Sequence, residues 1–111
     1  MLAALLLLAA TAGQSAPRGE IQERLDGQPS FVFQTRKRPV DLEFCVADVL
    51  SRVANPSAFS DGPDRRIVIA SEGKVIVAVE LNGTTGGTNV IGHVFAKGWD
   101  DRMRERVKAC L

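Results

Sequence analysis

The chain has 111 residues, with 14 Lys and Arg against 13 Asp and Glu, a formal net charge of +1, and 45% hydrophobic residues. This length points to one domain, and a balanced charge without an acidic or basic tail gives no grounds for strong attraction to nucleic acid or anionic membranes. With five Phe, one Trp and no Tyr, the core must be built from Val, Ile, Leu and Ala.

The first residues differ from the rest. Leu2 to Ala12 is an apolar run with the length of a signal-peptide core, and Ala10-Thr11-Ala12 supplies the small-x-small pattern of a cleavage site. A signal peptide over 1–12 is expected, with a second cleavage point after Ala16. The run is too short to span a bilayer, which needs about 20 apolar residues, so no stable membrane anchor is expected. The mature chain, 17–111, reads as a single exported domain, periplasmic or secreted.

Pro17 to Asp26 predicts a short, weak helix with Ile21 and Leu25 on one face. Ser30 to Thr35 predicts a strand in which Phe31 and Phe33 share a side. The charged connector Arg36-Lys37-Arg38-Pro39 follows. Asp41 suits a helix N-cap, and Leu42, Cys45, Val46, Val49, Leu50 and Val53 then form one apolar stripe at helical spacing. Pro56 stops this helix, and the stretch to Arg66 has the composition of a loop. Three strands are expected next, Arg66 to Ser71, Lys74 to Leu81 and Thr88 to Ala96. The first two are joined tightly at Glu72-Gly73 and the last two loosely through Asn82 to Gly87. A final helix from Trp99 or Asp100 places Trp99, Met103, Val107 and Cys110 on one face. The order is a weak helix, then β-α-β-β-β-α. It indicates an α+β two-layer sandwich with a mostly antiparallel four-stranded sheet and the main helices on one face.

Cys45 and Cys110 lie on the apolar stripes of the two main helices. If both helices pack on one sheet face, the thiols converge, as a disulfide requires, and export supplies the oxidising compartment. The bridge would close about 66 residues and contribute roughly 4 kcal/mol in the chain-entropy account. The absence of a C-x-x-C spacing argues against a redox-active pair.

Alternation predicts one sheet face carrying Val68, Ala70, Val75, Val77 and Val79, and an opposite face carrying Ile67, Ile69, Ile76 and Ala78. Both are apolar, whereas an antiparallel sheet with one solvated face should show only one. The main helices cover the first. For the second there are three candidate covers: the segment around Ile21 and Leu25, a second copy of the chain in a homodimer, or a partner protein or apolar ligand.

Catalytic chemistry is sparse. The single histidine, His93, lies in the last strand, with Glu80 of the neighbouring strand or a threonine of the Asn82–Thr88 loop as its nearest assistants for a hydrolase or isomerase. A structural histidine is the commoner outcome. The spacing of one His and two Cys fits no zinc site, and the acidic pairs Asp61/Asp64 and Asp100-Asp101 lack the ligand count of a calcium loop, so no metal or cofactor is expected. Gly83-Thr-Thr-Gly-Gly-Thr88 would offer backbone amides to an anion but has no P-loop ending, so a flexible hairpin tip is the favoured explanation. Asn82-Gly83-Thr84 matches a glycosylation sequon. Basic residues cluster at Arg36-Lys37-Arg38, at Arg65-Arg66 and along Arg102 to Lys108, where solvated surface is the default reading. The leading expectation is a small exported binding or interaction module that acts through its sheet. The rivals are an enzyme centred on His93 and a structural accessory protein of the cell envelope.

Overall fold

The computed structural model describes residues 19–111; the expected signal peptide and both of its cleavage points lie outside the described residues. The fold is the expected α+β sandwich. In chain order its elements are α1 (Glu20–Leu25), β1 (Phe31–Thr35), α2 (Pro39–Leu50), β2 (Asn55–Ser60), β3 (Arg65–Ser71), β4 (Val75–Thr84), β5 (Gly87–Val94) and α3 (Asp100–Lys108). The strands form one sheet in the order β1-β5-β4-β3-β2, and every neighbouring pair is antiparallel.

The fifth strand is the first departure from expectation. Asn55 to Ser60 pairs with β3 along its whole length, yet all six residues are exposed. An edge strand of this kind is held by backbone hydrogen bonds, so its side chains carry no alternation to be read in advance. Pro56 is tolerated because an edge strand has a free side. The start of α2 also differs. Arg38, not Asp41, occupies the N-cap, and Pro39 begins the helix, where its missing N–H costs nothing. Asp41 sits in the first turn.

The helix-facing side of the sheet is the main core. Leu42, Val46 and Leu50 of α2, Met103 and Val107 of α3 and Cys110 just beyond its end pack on Val68, Ala70, Val77, Val79, Leu81 and Val90. Leu42, Val46 and Leu50 are wholly removed from solvent, each burial stabilising by about 1.5–3 kcal/mol. At the rim of this layer Cys45 and Cys110 form a disulfide, with Cα atoms 5.8 Å apart. It ties α2 to the end of α3, as the two stripes require. Disulfides of this kind are at home in oxidising compartments, and no helix among the described residues is long and apolar enough to cross a membrane.

The β3–β4 register corrects the second face. Ala70 pairs with Val77 and Ser71 with Val75, an irregularity that leaves Ile76 without a partner in the ladder. A bulge of this kind inserts one residue and so reverses the side-chain alternation beyond it. Val75 therefore joins Ile67, Ile69 and Ala78 on the second face, while Ile76 is only half-buried. The cover of that face is α1. Leu25 is buried against these residues, with Ile21 and Phe95 packed beside it. Glu20 Oε1 accepts a hydrogen bond from Val75 N at 3.2 Å, and the Arg24 guanidinium lies 4.6 Å from the Phe95 ring centre.

Candidate functional site

His93 and Glu80 do meet. Their strands are neighbours, with His93 opposite Ala78 and Glu80 opposite Ile91, and His93 Nε2 lies 3.0 Å from Glu80 Oε2. A carboxylate only accepts, so Nε2 carries the hydrogen and donates it. The other oxygen of Glu80 accepts from Arg65 Nη2, and Arg65 Nη1 reaches Asp61 Oδ2 at 2.6 Å. The hydrogen bond to Glu80 is the chief cause that holds the Arg65 guanidinium above its ordinary pKa; burial opposes it and Asp61 adds to it. His93 is 2% exposed, its ring stacks on Phe95, and its Nδ1 is buried without a hydrogen-bond partner among the described residues. Neither His93 nor Glu80 is among the residues that line the hollows described below. This arrangement is a chain of polar contacts that runs from the buried His93 and Glu80 through the part-exposed Arg65 to the exposed Asp61.

The four residues expected to form a binding face do not make an open surface. Ile67, Ile69 and Ala78 are buried, and Ile76 stands apart at the bulge. Of the four, Ile69 borders a cavity, a hollow of about 500 Å³ beside the start of α1. The apolar residues left open on this side are at its margins, Val32 at 55% and Phe59 at 44% exposure.

A wider cleft lies elsewhere, at the end of the sheet where the β4–β5 hairpin turns. The strands continue to a two-residue tip, Thr85-Gly86, because Thr84 pairs with Gly87; the loose six-residue connection expected here is mostly ladder. Two glycines let other segments close on this tip. Gly83 donates its N–H to Asp64 O at 2.6 Å, and a Cβ there would stand 3.1 Å from Asp64 Cβ and its carbonyl oxygen. Gly87, at φ +155°, lies so close to β1 that a Cβ would collide with Thr35 O and Arg36 Cα. The glycine-rich stretch thus docks the β1–α2 connector on one side and the β2–β3 loop on the other.

The result is a cleft of about 610 Å³ whose wall includes Arg36, Arg38, Arg66, Asp64 and the backbone of Gly83 to Gly87. Two basic clusters far apart in sequence converge here. Arg38 is held by Asp41, with Nε to Oδ2 at 3.0 Å; this hydrogen bond is also the main cause that lowers the Asp41 pKa. Arg66 is held by Glu43 at 3.5 Å. Neither carboxylate lines the cleft, and each arginine keeps guanidinium N–H groups that no described residue accepts from. Lys37 points away and donates to Cys110 O at 2.8 Å, while its own carbonyl accepts from Thr88 Oγ1 at 2.6 Å. Arg36 makes no hydrogen bond or ion pair with any described residue.

Two further polar residues were not singled out in the sequence. Gln34 and Asn89 are register partners across β1 and β5, and both line a second hollow next to the cleft. An amide in a strand carries no distinctive sequence signal, so only the pairing reveals them. Asn82, the sequon residue, is half-buried, with its Oδ1 enclosed. No cluster of three metal-ligating side chains occurs among the described residues. No protein-family model matches the chain, and comparisons with curated proteins and with solved structures give no match.

Proposed function

We propose that the chain is an exported binding module whose ligand is a small oxyanion, held in the arginine-lined cleft at the hairpin-tip end of the sheet. One observation carries this reading: Arg36 and Arg38 from one segment and Arg66 from another reach one cleft, with Asp64 as the sole acidic residue among the described residues of its wall. Guanidinium groups present several donors in a plane and match phosphate and carboxylate oxygens in pairs. The volume, about 610 Å³, falls in the usual range for small-ligand sites, roughly 300–1,000 Å³. Export is supported by the leader-like N-terminus and by the disulfide between α2 and α3. The enzyme alternative loses support because both nitrogens of His93 are enclosed, one bonded to Glu80 and one sealed.

The test is a titration of the oxidised protein with inorganic phosphate, followed by amide and arginine side-chain NMR. Resonances of Arg36, Arg66 and Gly86 should shift together and saturably, and added salt should weaken the effect. Arg36→Ala should weaken binding about tenfold, the loss of one charge-assisted hydrogen bond. If millimolar phosphate leaves all three sites unmoved, the cleft does not take oxyanions.

A further inference from the structure

The hollow beside the arginine cleft narrows the class of ligand. It has a volume of about 400 Å³ and shares Arg36, Thr84 and Gly86 with the cleft, so the two are continuous around the hairpin tip. Its remaining wall is neutral and polar, with Gln34, Thr35, Thr88 and Asn89 and no carboxylate or aromatic ring. Gln34 and Asn89 stand opposite each other across β1 and β5 and therefore share one side of the sheet. Neither amide makes a hydrogen bond with any described residue, and the same holds for the Thr84 hydroxyl.

Each free amide presents two donors and one acceptor. A carboxylate or a fully ionised phosphate group accepts only, so the two amide oxygens would find no partner on it. A sugar hydroxyl both donates and accepts, and neighbouring hydroxyls match a pair of side-chain amides. Resting on the oxyanion reading of the cleft, we propose that the ligand is an acidic saccharide. Its phosphate or carboxylate lies on Arg36, Arg38 and Arg66, and its hydroxyls reach Gln34 and Asn89. Without an aromatic ring in the hollow, recognition of the sugar depends on hydrogen bonds and not on stacking.

Four probes separate the parts of this proposal in NMR titrations of the oxidised protein: inorganic phosphate, glucose, glucose 6-phosphate and glucuronate. At least one of the two acidic sugars should bind about tenfold more tightly than phosphate, the gain from one or two added hydrogen bonds, and should shift the side-chain amide signals of Gln34 and Asn89. Gln34 is exposed, so Gln34→Ala should leave the spectrum and phosphate binding intact while removing most of that gain. If phosphate and both acidic sugars bind equally, with the Gln34 and Asn89 amides unmoved, the saccharide is ruled out and the oxyanion site stands. If none of the four binds, or only glucose does, both readings fall.

Discussion

Glu80 has two partners on opposite sides, one permanently charged and one not. Its oxygens accept from Arg65 and from His93 Nε2, and it is nearly buried, which a carboxylate tolerates only when its lone pairs are used. Removing it strands the buried His93 Nε2 donor and takes one acceptor from the part-exposed Arg65, which keeps Asp61. Glu80→Ala should therefore destabilise the fold by about 2 kcal/mol, within the cost of leaving a buried donor unsatisfied, and Glu80→Gln by clearly less. Urea denaturation of the two variants measures this, and a loss for Glu80→Ala within about 0.5 kcal/mol, the range of ordinary surface changes, would contradict it. Asp41 is the exposed counterpart. The hydrogen bond from Arg38 depresses its folded pKa, so its small stabilising effect is present above the ordinary carboxylate pKa and is lost as pH falls through the lowered value. Arg38→Ala should move the Asp41 titration upward, readable from its carboxyl carbon by NMR.

At the scale of elements, the secondary structure follows side-chain pattern wherever burial imposes one. The stripe of α2 and the face of α3 were legible because both helices must bury one side. Edge strand β2 was not, since none of its side chains is buried. The bulge in β4 was invisible for a related reason. Val75 and Ile76 are both β-branched, and either one suits either face. The six residues of α1 are too few to hold a helix alone, so it exists by docking on Ile67, Ile69, Val75 and Ala78. The disulfide acts on two elements at once and limits the unfolded chain over a separation of 65 residues. Its reduction should lower the unfolding free energy by roughly 4 kcal/mol in the chain-entropy account. Denaturant midpoints with and without reductant give the comparison; unchanged midpoints would mean that helix packing alone holds α2 and α3.

For the whole molecule, the question of what covers the second sheet face has an internal answer. Because α1 fills its centre, the open apolar residues of this face are confined to the margins, at Val32 and Phe59, and the other exposed large ones, Val40 and Phe44, lie on α2. Stable interfaces need a much larger continuous area, about 800 Å² per partner. The protein should therefore have a single-chain mass by light scattering or sedimentation across micromolar concentrations. A dimeric mass would return Val32, Phe59 and their strands to consideration as an interface. The polar hollows lie at the opposite end from α1, around the β4–β5 tip, so ligand binding and second-face packing occupy separate parts of the sheet.

The sequence by itself determined the α+β class, the two main helices and their faces, the pairing of Cys45 with Cys110, and the presence of two apolar sheet faces. Each follows from a local periodicity that burial enforces. Only the tertiary structure decided that His93 is enclosed, that Ile76 leaves its face, and that Arg36, Arg38 and Arg66 meet. Those outcomes rest on strand register and on backbone approach at Gly83 and Gly87. Such contacts join segments distant in the chain through main-chain atoms, which are alike for every residue and so leave no mark in the order of side chains.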